Sequence, residues 1–153
     1  MILLVNHEFP STPPTSLHDG VGLLLARICR AHRNLVASAL DGISVHVGQD
    51  HVVYRLAIDD GITQSRLAEA LCVDASTVTK TLVRLERDGV VERRPDGADA
   101  RVLRVFLTPR GRGLVKPVVD IWMRAEQRLV KDLGEAERVL LRRLLLQVLA
   151  NLA

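Results

Sequence analysis

The chain has 153 residues, of which 48% are apolar, 25% charged and only 3% aromatic, so we expect one domain with a core built mainly of Leu, Val and Ala. The net charge of +3 is unevenly spread: residues 1–62 hold 4 basic and 6 acidic side chains, residues 63–112 hold 10 and 7, and residues 113–153 hold 7 and 5. No stretch approaches the ~18 consecutive apolar residues of a membrane span, and the N-terminus does not resemble a secretory leader. The two cysteines lie far apart and indicate neither a disulfide framework nor a metal knuckle. Together these features predict a soluble cytoplasmic protein.

The N-terminal part of the chain predicts an extended arm followed by two helices. Residues 1–15 are rich in proline and form the predicted arm. Ser16 and Asp19 fit a capping box, after which apolar residues keep helical spacing to about Leu40. The stretch "QDHVVYRLAI" predicts a second helix that ends at "DDG". We assign residues 16–58 to scaffold and dimerisation, and we expect Cys29, inside the apolar first helix, to be a buried and unreactive thiol.

Two short helices in close succession are predicted next. Thr63 can cap the first and Asp74 the second, and only Cys72 and Val73 lie between them, so the helices must cross sharply. The predicted buried faces are Leu67, Ala68 and Leu71 on the first helix and Val78, Leu82 and Leu85 on the second. Such a pair is a helix-turn-helix, whose second helix is free to enter a DNA major groove.

A β-hairpin is predicted to follow the second of these helices. Gly89 suits a left-handed helix end, and "VVERR" and "RVLRVFL" alternate as two strands. The predicted hairpin carries many charged side chains, both on its strands and in the loop between them. These are Arg93, Arg94, Arg101, Arg104, Asp96 and Asp99. We expect the two acids to hold arginines in place and the hairpin tip to meet phosphates. Thr108 and Pro109 then restart a helix as cap and first residue.

The C-terminal part is predicted to be helical, with one element to about Leu133, bent at Pro117, and a second from Gly134 or Glu135 onward. The stretches "VLLRRLLLQVLANLA" and "VGLLLARI" are too apolar for a single covered face, which favours a symmetric homodimer built from both chain ends. The predicted fold is therefore mainly α with a small two- to three-stranded β-wing. Its predicted division is a winged helix-turn-helix lobe over residues 59–112 and a dimerisation platform that includes residues 113–153.

One motif narrows the choice among winged-helix proteins. The stretch "DARVLRVFLTPRG", with Asp99-x-Arg101 and then Val105-x-Leu107-Thr108-x-x-Gly111, resembles the signature of the MarR family (multiple antibiotic resistance regulators), and "ITQSRLAEAL" through "VERRPD" is similar to that family's helix-turn-helix and first wing strand. The resemblance runs from about residue 20 to the end. It implies a homodimer that binds a palindromic operator in double-stranded DNA, typically represses a nearby operon, and releases DNA when a small phenolic or amphipathic ligand binds between lobe and platform.

Two departures from the family pattern lead to specific expectations. Cys72 stands where the family usually has Gly, and because a side chain with a Cβ is costly in a left-handed conformation, we expect a slightly different turn. Ala100 stands where many relatives carry a second wing arginine, which removes one phosphate contact.

The candidate DNA-binding residues lie on the helix-turn-helix and the wing. Short or polar side chains near the start of the second helix suit base edges and phosphates: Ser76, Thr77, Thr79 and Lys80. Four further side chains are expected to meet the DNA backbone: Thr63, Gln64, Ser65 and Arg84, with Arg66 as a weaker candidate. The resemblance implies that Arg101 reaches into the minor groove, supported by Asp99. The alternatives are an ordinary solvated helix face and a wing arginine that only pairs with Asp99 or Asp96.

Other function classes have less support in the sequence. His51, Tyr54, Arg55 and Trp122 are candidates to line an effector cavity, with plain core packing as an equal alternative. His46 and His51 have a poor spacing for a shared ion, so we expect no metal and no cofactor. A Gly-rich phosphate loop and a nucleophile elbow are missing, which argues against an enzyme. A cysteine-based redox-sensing regulator of the same fold and a dimeric interaction protein without DNA binding stay open as alternatives.

Overall fold

The computed structural model describes residues 20–152, which form six helices and two strands. In chain order these are α1 (Val21–Asp41), α2 (Gln49–Ile58), α3 (Gln64–Ala70), α4 (Ala75–Arg87), β1 (Val91–Pro95), β2 (Leu103–Leu107), α5 (Pro109–Leu129) and α6 (Glu135–Leu152). The predicted fold class, mainly α with a small antiparallel wing, is confirmed. The predicted arm and the capping box of Ser16 and Asp19 lie outside the described residues.

Side-chain caps start three of the helices where the sequence places them. The Thr63 hydroxyl accepts a hydrogen bond from the Arg66 amide, and the Thr108 hydroxyl accepts one from the Gly111 amide. Asp74 caps α4 in the same way. The end of α5 differs from the prediction, because the helix stops at Leu129 rather than near residue 133 and a turn leads into α6. Pro117 lies inside α5, which continues through it.

The turn between α3 and α4 keeps the left-handed conformation despite its side chain. Cys72 has a φ of 52°, in the left-handed region that favours glycine. Two backbone hydrogen bonds close the turn, from the Cys72 amide to the Glu69 carbonyl at 3.0 Å and from the Val73 amide to the Ala68 carbonyl at 3.1 Å. These bonds satisfy carbonyls at the end of α3, which offsets the steric cost of the Cβ.

The hydrophobic core is made of aliphatic side chains from α1, α2, the helix-turn-helix, the wing and α5. Leu40, Leu56, Leu82, Val105 and Val118 are completely buried within it. The buried residues of α1 all lie in its C-terminal half, and α6 has none. The core therefore leaves the N-terminal half of α1 and the whole of α6 uncovered. None of the helices within residues 20–152 is long and apolar enough to cross a membrane.

Both cysteines are exposed, which corrects the expectation for Cys29. Apolar neighbours in the sequence suggested a buried thiol, but Cys29 lies in the uncovered half of α1. Cys72 is exposed because it lies in the tight turn between two short helices.

The wing is tied to the start of α3. In the antiparallel pair, Val91 lies opposite Leu107 and Pro95 opposite Leu103, and an isolated bridge joins Thr63 to Arg104. Gly61 has a φ of +84°, and a Cβ there would lie 2.6 Å from the Phe106 ring. Glycine is therefore required at residue 61 both for its backbone conformation and for the close approach of the wing.

Candidate nucleic-acid interface

The exposed face of α4 is mainly polar, although Val83 is exposed on it as well. Val78, Leu82 and Leu85 pack into the core from one side of the helix. The other side carries the predicted contact residues, of which Ser76, Thr77, Lys80 and Arg84 are exposed and Thr79 is half-buried. The division follows from the i, i+4, i+7 spacing of the apolar residues, which places most of the intervening polar side chains at the surface.

Asp74 organises the first turn of α4. Its carboxylate accepts hydrogen bonds from the Ser76 hydroxyl at 2.6 Å, the Thr77 hydroxyl at 2.7 Å and the Thr77 amide at 2.8 Å. These bonds, that of the Ser76 hydroxyl above all, hold the pKa of Asp74 far below its ordinary value of 3.8. Because both hydroxyl protons point at Asp74, Ser76 and Thr77 present lone pairs to solvent and are set to accept hydrogen bonds.

The start of α3 is bonded directly to α4. The Gln64 amide donates to the Thr79 hydroxyl at 2.6 Å, and the hydroxyls of Thr63 and Ser65 lie 3.2 Å apart. Thr79 in turn donates to the Ala75 carbonyl at 2.8 Å. Gln64 and Thr79 therefore connect the two helices, and both side chains are half-buried.

Three cations beside these hydroxyls have no anionic partner. Within residues 20–152, Arg66, Lys80 and Arg84 form no salt bridge and no side-chain hydrogen bond, and all three are exposed. Their charges are available to an external anion without first breaking an internal ion pair.

Four arginines of the wing form ion pairs, and Arg101 has the most exposed side chain of the four. Its side chain is 91% exposed, and its guanidinium donates to the two carboxylate oxygens of Asp99 at 3.0 and 3.1 Å. The pair lowers the pKa of Asp99 and raises that of Arg101. A guanidinium has five N–H donors, so Asp99 fixes the direction of Arg101 and leaves donors facing solvent.

The other wing arginines also have carboxylate partners, so the charge of the hairpin is not unpaired. These pairs are Arg93 with Glu86, Arg94 with Glu92, and Arg104 with Asp96. Arg104 lowers the pKa of Asp96 and Arg93 lowers that of Glu86. Arg93 reaches back to α4, Arg104 reaches across the hairpin, and Arg94 pairs within its own strand.

Two anchors of the wing were missed by sequence reasoning. Asp60 accepts hydrogen bonds from the Leu107 amide at 2.9 Å and from the Arg112 guanidinium at 2.7 Å. Arg104 donates to the Gly61 carbonyl at 2.9 Å. The sequence showed "DDG" only as a helix stop, because nothing local indicates partners some 50 residues away.

A cleft between α2 and α5 collects three of the four proposed effector residues. His51, Tyr54 and Trp122 line a cavity of about 330 Å³ together with Val119 and Met123. Arg55 does not line it and instead pairs at 3.2 Å with Asp59, the residue that follows the end of α2. Within the described part of the chain, no group of three or more His, Cys, Asp or Glu side chains could hold a metal ion.

The orientation of Trp122 depends on a buried acid that the sequence did not single out. The Trp122 indole donates to Asp50, which is completely buried, at 2.9 Å. The rings of His32 and His51 lie 5.3 and 5.1 Å from the indole, measured between ring centroids. In the sequence, Asp50 is recognisable only as an acidic residue in the first turn of α2. Acids are common at that position, so it does not identify a partner on α5.

In winged helix-turn-helix proteins, the second helix of the motif, here α4, has a solvated polar face and lies beside a hairpin that carries arginine. We call α4 the reading helix. A family model described as "MarR family" matches residues 47–103. The chain is 34% identical over 84 residues to the HTH-type transcriptional regulator PecS of Dickeya dadantii. The matched region spans 55% of this chain and only 51% of PecS. It is 26% identical over 147 residues to the HTH-type transcriptional repressor IacR of Pseudomonas putida, covering 96% and 88% of the two chains. The structure of the S. aureus MepR–DNA complex superposes with a TM-score of 0.82 and 28% identity over 86% of this chain and 98% of that one. The chain belongs to the MarR family, whose members are transcriptional regulators and not enzymes.

Proposed function

We propose that the protein is a homodimeric, sequence-specific DNA-binding regulator in which two copies of α4 read a palindromic operator. The polar face of α4 beside Arg101 carries this proposal, because it aligns free cations and hydroxyls on one surface while the opposite side is packed in the core. The MepR structure, which contains DNA, supports it.

The hydroxyls and the cations of α4 have different proposed roles. Ser76 and Thr77 donate their protons to Asp74, so in the major groove they accept hydrogen bonds from the amino groups of adenine or cytosine. Lys80 and Arg84 neutralise phosphates, as does Arg66. Thr63, Gln64, Ser65 and Thr79 meet the backbone or base edges at the junction of α3 and α4, where Gln64 and Thr79 are bonded to each other.

The wing supplies the proposed minor-groove contact. Narrow A·T-rich minor grooves concentrate negative potential and attract arginine. Arg101 is oriented by Asp99 and is otherwise exposed, so its guanidinium can reach a groove without breaking a contact with the lobe. Arg93 and Arg104 are bonded to Glu86 and to the Gly61 carbonyl outside the hairpin, and these contacts help to keep the hairpin in position.

The proposed dimer interface consists of α6 and the N-terminal half of α1. The exposed aliphatic side chains of α6 are Val139, Leu140, Leu141, Leu144, Leu145, Leu146, Leu149 and Leu152. Val21, Leu23, Leu24 and Ile28 of α1 are exposed as well. A symmetric pair that covers both surfaces removes apolar area from water and sets the two reading helices about one DNA turn apart. In this proposal residues 16–58 and 113–153 form the platform and residues 59–112 the DNA-binding lobe.

The protein is proposed to act as a repressor that a small amphipathic ligand releases. The cleft of His51, Tyr54 and Trp122 lies between α2 and α5, and Val119 and Met123 add apolar lining to it. A ligand there changes DNA affinity if it binds one arrangement of the lobes more tightly than another. IacR is a repressor by name, which supports this sign of regulation.

The test of the proposal uses the intergenic DNA beside the protein's own gene. Fluorescence anisotropy should show tight binding to that DNA and weak binding to a shuffled duplex at the same salt concentration. Footprinting should reveal two related half-sites ~10 base pairs apart. Equal affinity for both duplexes, or protection of a single asymmetric half-site by one chain, would count decisively against it.

A further inference from the structure

The cleft between α2 and α5, which we call the effector cleft, has neither a lysine nor an arginine in its lining. Its lining residues are three with aromatic rings and two with apolar side chains: His51, Tyr54, Trp122, Val119 and Met123. Its volume of about 330 Å³ lies within the range of small-molecule sites. Arg55 of α2 does not line it and is paired with Asp59. The lining therefore offers an anionic ligand no guanidinium or ammonium partner.

A buried carboxylate is bonded to the indole of Trp122. Asp50 is 0% exposed, its Oδ2 accepts from the Trp122 indole N–H at 2.9 Å, and its Oδ1 accepts from the Gly48 amide at 2.7 Å. Both donors are neutral. Among residues 20–152, Asp50 forms no salt bridge with a lysine, an arginine or a histidine. A fully buried acid without a cationic partner is unusual in a folded protein.

The bond between Asp50 and Trp122 has two consequences for a ligand of the effector cleft. The indole N–H is the single hydrogen-bond donor of tryptophan, and because Asp50 accepts from it, it is not available to a carboxylate or a phenolate. The carboxylate also places negative charge beside a ring whose π face is itself negative. Tyr54 adds a second aromatic ring, and its side chain is exposed. These charges favour a cation over an anion.

We propose that the effector cleft binds an amphipathic organic cation, an ammonium group that carries apolar substituents. The ammonium group lies against the rings of Trp122 and Tyr54, within about 6 Å of a ring centroid as in other cation–π contacts, and the apolar substituents pack on Val119 and Met123. Asp50 stabilises the cation by its charge, through the indole and without touching it. This inference rests on the proposed effector role of the cleft, and it narrows the phenolic or amphipathic ligand that the family resemblance implies to a cationic one.

The fluorescence of Trp122 reports on the effector cleft, because it is the only tryptophan of the chain. The full-length protein is titrated in the absence of DNA with choline, with dimethylbutanol, in which a carbon atom replaces the ammonium nitrogen of choline, and with the anion dimethylbutyrate. Ionic strength is held constant, and the pH is about 8, above the ordinary range of imidazole titration, because a protonated His32 or His51 beside the indole would repel the cation. We expect a saturable change with choline and an affinity for it roughly tenfold higher than for the other two compounds.

Variants of Tyr54 and Asp50 test the assigned contacts. Tyr54→Leu removes a ring and should weaken choline binding, whereas Tyr54→Phe keeps the ring and should bind choline as the wild type does. Asp50→Asn should weaken choline binding by roughly tenfold and leave dimethylbutanol binding unchanged, because only the cation responds to the lost charge. Glu69→Gln makes the same change of charge at an exposed residue of α3 outside the lining of the cleft, and it should alter neither affinity.

The possible outcomes separate this proposal from the proposed regulation of DNA binding. Equal affinity for choline and dimethylbutanol, tighter binding of dimethylbutyrate, or the absence of any saturable response overturns the cationic ligand. Equal weakening by Tyr54→Leu and Tyr54→Phe overturns it as well, and these two variants serve as the test if Asp50→Asn does not fold. Selective choline binding that leaves the complex with operator DNA intact supports the cationic ligand and refutes the proposed release of DNA.

Discussion

Replacement of Arg101 by alanine separates folding from DNA binding. The side chain is 91% exposed and bonds only to Asp99, two residues away. Exposed ion pairs of this kind contribute little to folding, so the Arg101→Ala melting temperature and oligomeric state should match those of the wild type. The pKa of Asp99 should rise toward its ordinary value of 3.8, because Arg101 is the main cause of its depression.

Against DNA the same change should be large. Loss of a well-placed groove contact weakens binding by roughly 5- to 150-fold. Each lost phosphate contact also lowers the log–log salt slope by about 0.9 on duplex DNA, so a dimer that loses one contact per wing loses about 1.8. The loss should be largest on A·T-rich flanks. Asp99→Ala should weaken binding less, since it frees an arginine without removing one.

The assay is fluorescence anisotropy on one operator at four or more salt concentrations, with thermal unfolding of the same samples. Arg124→Ala, an exposed arginine of α5, is the matched control for the loss of one positive charge per chain. If Arg101→Ala and the wild type bind with equal affinity and equal salt slope, the wing does not contact DNA. A melting temperature that falls by many degrees would instead refute the structural assignment of Arg101 as a solvated side chain.

Three further predictions follow from the same structure. Deletion of residues 135–153 should give aggregated or unfolded protein in light scattering and circular dichroism, because it removes α6, the proposed apolar partner of the uncovered half of α1. A soluble, folded monomer would refute the dimer interface. Replacement of both Cys29 and Cys72 by serine should leave the response to a small amphipathic effector intact in the DNA-binding assay, whereas loss of all regulation, together with release of the wild type by oxidant, would establish redox sensing in its place. The pKa values of Asp96 and Asp99 are lowered in the folded state. The contribution of these ion pairs to stability is therefore fully present above the ordinary value of 3.8 and is lost as the pH falls through the lowered values. Carboxyl resonances that titrate with midpoints above about 4 would contradict both ion pairs.

Short-range patterns predicted most of the secondary structure and the position of the reading helix. Thr63, Asp74 and Thr108 were recognised as caps because a cap and the amide it binds lie within three residues of each other. The buried face of α4 was predicted from spacing for the same reason. The exposed candidates Ser76 and Lys80 then followed as the remainder of that helix.

Burial and long-range pairing were decided only by the tertiary structure. Cys29 has apolar neighbours in sequence, but it is exposed because no described element covers its half of α1. Trp122 meets Asp50 and Arg104 meets Gly61 across separations of 72 and 43 residues, and many acids and carbonyls in the sequence were equally plausible partners. Helix periodicity and capping are encoded within a few residues, whereas the choice among distant partners depends on how all the elements pack at once.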